Sequence, residues 1–289
     1  MANNKIKLRL QGHEKFALRE GWLNKGLIIV NDKPGIFQSD EAPDVFGIGS
    51  NMVKSVRYWL KAFGLIVEVP GKGASLTTIG QIIYENDLYL EDVFTLWILH
   101  SNIAKNIEEA TSWFMFFNRC QVDDLSKDQI QQILKREISK YVEGDNFSEN
   151  SLKSDVDVLL NMYSNTKEIS DPEDKNISPF AELKLLKKTE GKYSKVHADK
   201  RLISEWIVLY ELADRLREKE SVSIEDLSLG EKGLQSIYQM NIVMINDYLD
   251  KLDALGYIHV NRTAGLAMIY REKEFSAIDV LEEYYKNNR

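Results

Sequence analysis

Between positions 51 and 63 the apolar residues Val53, Val56, Leu60 and Phe63 recur three or four apart with polar residues between them. That spacing puts one apolar stripe on a helix. Ser50 stands where an N-cap is expected, and Gly47-Ile48-Gly49 before it reads as a tight turn. An amphipathic helix is predicted over 16–30 from Phe16, Leu18, Trp22, Leu23, Leu27, Ile28 and Val30, stopped by Asn31-Asp32-Lys33-Pro34-Gly35. A short helix near 40–46 carries Val45 and Phe46. After residue 63 the pattern turns β-branched, in Leu65-Ile66-Val67-Glu68-Val69, and Pro70-Gly71-Lys72-Gly73 breaks it. Ala74-Ser75-Leu76-Thr77 is placed to pair back before a helix begins near Thr78. Helix, short helix, tight turn, helix and hairpin is the order of a winged helix-turn-helix. A hairpin this short cannot bury its own apolar face and must lean on a helix.

Residues 91–163 read as all-helical. One helix starts at Phe94, Trp97 and Ile98, and another runs from Ile107 to Cys120 through the nearly continuous Trp113, Phe114, Phe116 and Phe117. Two more follow, through Ile130, Ile133, Leu134, Ile138 and Tyr141, and through Leu152, Val156, Leu159 and Leu160. Residues 164–179 are mostly polar and read as a solvated linker or long loop, the preferred domain boundary. Residues 180–198 carry no firm pattern, so 164–198 is taken together as linker or loop. The C-terminal part repeats the N-terminal order without repeating its sequence. Leu202, Ile203, Trp206, Ile207, Tyr210, Ala213 and Leu216 mark a helix, and Ser223-Ile224-Glu225-Asp226-Leu227 a capped short one. A long helix is predicted from Ile237 to Leu255, ended by Gly256. Tyr257-Ile258-His259-Val260 and Leu266-Ala267-Met268-Ile269-Tyr270 flank a hairpin signal at 261–265. The expected fold is mainly α, with winged helix-turn-helix units at 1–90 and 199–289 and a helical region at 91–163.

Composition fits that picture. The 289 residues are 44% hydrophobic and 28% charged, enough for a core and unlike a disordered or low-complexity chain. No apolar run approaches the ~18–20 residues of a membrane span, and the start carries no apolar signal core, so a cytoplasmic location with no membrane partner is expected. The single cysteine, Cys120, excludes an internal disulfide and a multi-cysteine zinc site; inside an apolar helix it reads as a core residue. A net charge of -8 weighs against a nucleic-acid binder. The distribution qualifies this: residues 1–90 hold 11 Lys/Arg against 9 Asp/Glu, so the excess of carboxylates lies beyond them.

The cations of the first part point to one surface. Asn51, Lys54, Ser55, Arg57, Tyr58 and Lys61 fall outside the apolar stripe of the 51–63 helix, and Lys72 sits in the hairpin turn. Asn51, Lys54, Arg57 and Lys61 follow at intervals of three or four. Asn can bond an adenine edge, Arg a guanine edge and Lys a phosphate, the equipment of a recognition helix on double-stranded DNA. The competing reading is a solvated face that packs a protein interface. The second unit's helix carries Asp247, Asp250 and Asp253, which repel phosphate; it reads as protein-facing or dimerising unless Gln239, Asn241 and Arg262 dominate its surface, and a homodimer stays open. His13, Glu14, Arg19 and Glu20 make a second candidate cluster, dense in groups that transfer protons or bind metal. Its plainer reading is a helix cap with a local Arg19–Glu20 pair. No P-loop, dinucleotide fingerprint, H-E-x-x-H or G-x-S-x-G occurs, so no metal site is assigned. Glu-x-Lys, half of a common nuclease signature, occurs at 173–175, 182–184 and 190–192, but without the strand pattern such a site needs.

The stretch Gly12-His13-Glu14-Lys15-Phe16-Ala17-Leu18-Arg19-Glu20-Gly21-Trp22-Leu23, with Gly47-Ile48-Gly49-Ser50-Asn51-Met52-Val53-Lys54-Ser55-Val56-Arg57-Tyr58-Trp59-Leu60, resembles the bacterial family catalogued as domain of unknown function 4007. Ser178-Pro179-Phe180-Ala181-Glu182-Leu183 is compatible with it. The resemblance implies a setting beside a sulfurtransferase resembling phosphoadenosine phosphosulfate reductase and a cysteine desulfurase, in DNA phosphorothioate modification and phage defence. One branch is associated with DNA nicking. The expected function is therefore a DNA-binding accessory protein of such a system, with the sulfur-transfer and desulfurase proteins as partners. It needs no cofactor unless it nicks DNA, in which case a divalent metal is implied. The alternative is a non-enzymatic adaptor or transcriptional regulator that docks proteins through its winged helices. No catalytic residue is assigned beyond the weak candidates His13, Glu14 and Arg19.

Overall fold

The computed structural model describes residues 7–144, 146–165, 177–263 and 267–288. Most of the expected 164–179 linker, the Glu-x-Lys match at 173–175 and the centre of the 261–265 turn lie outside them. The described residues are mainly helical, with thirteen α-helices and three small antiparallel sheets, and they divide into compact units at 1–196 and 197–289.

The first unit opens on α1 (Trp22–Asp32), α2 (Ala42–Phe46) and α3 (Ser50–Ala62), followed by the hairpin β1 (Ile66–Val69) and β2 (Gly73–Leu76) and by α4 (Thr78–Asn86). Two expectations need correction. The first helix begins at Trp22 and not near Phe16: residues 9–20 form a looped segment whose backbone donors at 14–16 bond within the loop and at Arg9, Gln11 and Glu20 reach distant partners. Arg9 N–H reaches Thr111 Oγ1 at 2.8 Å, Gln11 N–H reaches Asp155 Oδ1 at 2.7 Å and Glu20 N–H reaches the Ile177 carbonyl at 3.1 Å. Ser50 is the first residue of α3 and not its cap; Gly49 holds that place without a side-chain bond. Val53, Val56, Leu60 and Phe63 are buried as the stripe requires. Thr77 caps α4 by accepting the Gly80 N–H at 3.0 Å. β2 is pinned to the 33–38 turn by the Ala74 N–H, 2.7 Å from the Pro34 carbonyl.

α5 (Val93–Lys105) and α6 (Thr111–Arg119) supply the centre of the core, where Trp97, Trp113, Phe114 and Phe116 are fully enclosed. β3 (Leu125–Ser126) leads into α7 (Lys127–Val142) through a Ser126/Gln129 capping box, and α8 (Glu149–Ser164) follows. Trp59 of α3 meets Trp113 edge-on at 5.4 Å, and Phe63 stacks on Phe180 at 5.0 Å and 5°. Residues 179–195, for which the sequence has no firm pattern, hold a 3-10 turn and the hairpin β4 (Leu186–Thr189) and β5 (Lys192–Lys195), with β3 added on the far side of β5. Lys195 closes this sheet onto α6. Its ammonium donates to the carbonyls of Phe116 at 2.7 Å and Cys120 at 2.8 Å at the helix C-terminus. Burial pulls its pKa down to about 8, against the helix dipole, which favours a cation there.

The second unit runs α9 (Glu205–Leu216), β6 (Ser221–Ser223), α10 (Ile224–Ser228), α11 (Leu234–Ile237), α12 (Ile242–Ala254), β7 (Ile258–Asn261), β8 (Met268–Arg271) and α13 (Ala277–Asn287). The helix expected from Ile237 to Leu255 is broken. Tyr238–Asn241 intervene, and Asn241 restarts the helix by accepting the Met244 N–H at 2.9 Å. β8 lies between β6 and β7. Tyr238, enclosed against α9, donates to the buried Glu211 at 2.7 Å.

Candidate functional site

The exposed side of α3 is narrower than its spacing suggests. Asn51 and Lys54 are exposed and joined by a 3.3 Å bond from the Lys54 ammonium to Asn51 Oδ1. Ser55 and Tyr58, which the helical spacing turns outward, are buried at 0% and 4% exposure. At Tyr58 the cause is the 9–15 loop, which covers that ring: a Cβ on Gly12 would sit 2.4 Å from it. Burial, and then the nearby Asp155 carboxylate, push the Tyr58 pKa well above its ordinary value.

Arg57 does not face solvent free. Its Nε and Nη2 donate to the two Glu68 oxygens at 2.6 and 2.9 Å, from helix to hairpin. Lys61 lies 3.7 Å from Glu68 and 3.1 Å from Glu109. Two cations thus meet two carboxylates, and their charges cancel locally. Partial burial raises the Glu68 pKa, but the bonds and charge of Arg57 outweigh it and hold the group below the usual carboxylate value. Arg57 keeps 41% side-chain exposure and leaves Nη1 for a partner. Lys72 is exposed at the hairpin turn. The surface therefore holds one oriented guanidinium, two solvated ammonium groups in Lys54 and Lys72, and the Asn51 amide. Lys25 adds a cation that sequence reasoning passed over. Its ammonium would lie 3.8 Å from a Cβ on Gly47, in the turn that leads to α3.

The second candidate cluster separates. His13 is fully buried, stacked on Trp59 at 5.9 Å and 14°, with Tyr58 and Trp113 edge-on. The Lys15 N–H points at Nδ1 (3.1 Å), so Nδ1 accepts, and Nε2 carries the proton it donates to Asp155 Oδ1 at 2.8 Å. Asp155 also accepts from Gln11 N and, at 2.6 Å, from Ser112 Oγ. This carboxylate sits at the hub with three donors, an arrangement that fastens the loop and leaves His13 no path to a ligand. Gln11, Glu14 and Lys15 are all held at positive φ, a strained run that this anchor maintains. Glu14 is half-buried beside it.

Arg19 lies elsewhere, its guanidinium 5.4 Å over the Trp22 ring. It lines a pocket of about 390 Å³ with Glu20, Asn24, Tyr89, Glu91 and Glu182. Three carboxylates against one guanidinium give that pocket an anionic wall. Among the described residues no group of three or more His, Cys, Asp or Glu is arranged to hold a metal ion, and no helix is long and apolar enough to cross a membrane.

On the second unit, two of the three α12 carboxylates are paired with cations. Asp247 meets Lys200 at 2.6 Å, Asp250 meets Arg262 at 2.7 Å, and Asp253 lies 3.7 Å from His259. Ile242 and Val243, at the start of that helix, are 46% and 66% exposed.

A family model for a protein of unknown function (DUF4007) matches residues 10–285. Two solved structures are similar over 96% of this chain and 88% of theirs, each with a TM-score of 0.84 and 25% identity: the SspB crystal structure and its magnesium ion-bound form. No curated protein matches.

Proposed function

We propose, proceeding from a chain that belongs to the DUF4007 family of proteins of unknown function, that it is a DNA-binding accessory protein of a DNA phosphorothioate modification and defence system. The setting that the sequence resemblance implies, beside a sulfurtransferase and a cysteine desulfurase, supports the pathway. The observation that carries the binding half is the exposed Asn51–Lys54 pair on α3, with Arg57 oriented one turn along and Lys72 at the hairpin tip. Lys54 and Lys72 would take phosphates, and Arg57, held by Glu68, a base edge. The order of elements in residues 22–86 and 205–271, each a helix followed by an antiparallel hairpin, supports reading both units as winged helices.

Lys54→Ala and Lys72→Ala test this in a titration of duplex DNA at several salt concentrations. Each lost phosphate contact should flatten the slope of log K against log salt by about 0.9. Variants that bind with the parent's affinity and slope would overturn the α3 reading.

Nicking is the finer version of the same function. The magnesium ion in the similar SspB structure supports a divalent cation as its cofactor; no residue is assigned to hold one here. Supercoiled plasmid incubated with Mg²⁺ or Mn²⁺ and the sulfur-transfer partners decides: relaxed circles support nicking, and intact plasmid removes it while leaving the binding role.

A second reading, a non-enzymatic adaptor, draws on the exposed Ile242 and Val243 beside the paired carboxylates of α12. Retention of the sulfurtransferase and desulfurase without retention of DNA would favour it.

A further inference from the structure

We propose that the β4–β5 hairpin, with the pocket it forms against α7 and α8, is a second contact for the phosphate backbone of nucleic acid. The proposal rests on the nucleic-acid reading above only for its choice of polyanion; its residues lie apart from α3 in the sequence. Residues 184–192 hold Lys184, Lys187, Lys188 and Lys192 against Glu190 alone, in a chain whose net charge is -8. All four lysines are exposed. Lys192 pairs with Asp124 at 2.5 Å, whereas Lys184, Lys187 and Lys188 meet no carboxylate among the described residues.

The hairpin is a rigid carrier for these charges. Its turn places Glu190 and Gly191 both at positive φ, a tight two-residue connection. β5 is bonded on both edges, to β4 and to β3, and Lys195 ties its end to the C-terminus of α6. Across the register Lys188 faces Tyr193, and its ammonium lies 5.6 Å over that ring.

Lys188 and Tyr193 form one wall of a pocket of about 220 Å³, with Lys127, Asn161, Ser164 and Asn165 opposite. Its one carboxylate among the described residues, Asp157, is taken up by Lys127 at 2.7 Å. Among the described residues the Lys188 ammonium is left as the uncompensated charge of a pocket lined with amide and hydroxyl groups. That chemistry suits a phosphate. A polyphosphate is favoured over an acidic protein partner on energetic grounds. Exposed lysine–carboxylate pairs contribute little singly, while several lysines on a nucleic-acid backbone release its condensed counterions together.

The experiment follows a fluorescently labelled 20-base-pair duplex by anisotropy across salt. It compares the full-length parent with two double variants, Lys187→Ala/Lys188→Ala and Lys54→Ala/Lys72→Ala. The substituted hairpin residues are exposed, so an unchanged melting temperature is expected and confirms the fold. The hairpin variant should bind more weakly and lose about two units of salt slope, 0.9 per lysine. If it binds like the parent while the α3 variant weakens, the hairpin proposal is overturned and the α3 reading stands. If the hairpin variant weakens and the α3 variant does not, the hairpin is the contact and the α3 reading fails. A parent that does not bind the duplex at low salt overturns both.

Discussion

Replacement of Asp155 by alanine is expected to destabilise the 1–196 unit by about 3–5 kcal/mol. The carboxylate is 1% exposed and accepts from His13 Nε2, Gln11 N and Ser112 Oγ. Alanine leaves three buried donors without an acceptor, at about 1–3 kcal/mol each when water cannot enter. Relief of strain offsets part of the loss, because Gln11, Glu14 and Lys15 keep their positive φ only while the loop is held. Ser112→Ala removes one donor together with its share of the bond and should cost about 1 kcal/mol. Urea unfolding of the two variants measures both. A loss below about 1 kcal/mol for Asp155→Ala would mean that the loop is held by ring packing alone. The prediction bears on the α3 surface as well, because His13 packs on Tyr58 and Trp59, the inner side of the helix that presents Asn51 and Lys54.

Gly73→Ala is expected to cost about 2–4 kcal/mol, summing left-handed strain and overpacking. Gly73 has φ +88, and a Cβ there would lie 2.3 Å from the Pro34 carbonyl oxygen and 3.0 Å from Gly35 N. Both are backbone atoms, so the hairpin must move away from the 33–38 turn. The Ala74 N–H bond to Pro34 would go with it. Gly71→Ala is the matched control. It carries φ +76 with nothing within 4 Å of the new Cβ, so only the conformational cost of about 1 kcal/mol applies. On the proposed function Gly73→Ala should also weaken DNA binding, since Lys72 moves with the turn. Thermal unfolding reads the stability difference; equal melting temperatures for the two variants would show that the hairpin is not seated on the 33–38 turn.

These two positions also show what the sequence discloses and what it hides. The α3 stripe and the hairpin after it were legible because they are local: a helical period, a β-branched run and a Pro-Gly break fix them within thirty residues. Thr77, Ser126 and Ser223 show the same locality as helix caps. The helical period turns Tyr58 to the outer face, but the loop that buries it comes from residues 9–15, and the carboxylate that fastens this loop is 142 residues from His13. No period within one element carries that information. The helical apolar spacing at 16–30 overruns the true start at Trp22, since tertiary acceptors take the backbone donors of Arg9, Gln11 and Glu20 and anchor the segment as a loop. The sequence offers Arg57 and Lys61 as DNA contacts, and Glu68 lies in the predicted hairpin; the register that brings the carboxylate back onto α3 is a property of the fold. The lysines of 184–192 alternate with no apolar period, and only the pairing of β4 with β5 gathers Lys187, Lys188 and Lys192 on one hairpin.

The proposed role requires a cationic surface lying along a polyphosphate despite an anionic whole. Its most direct test is the salt dependence of duplex binding by the unmodified protein. The Lys54 and Lys72 contacts alone predict a slope of log K against log salt of at least about -1.8, at 0.9 per neutralised phosphate, and steeper if the β4–β5 hairpin joins them. Absence of binding at low salt, or an affinity that does not change with salt, would contradict it.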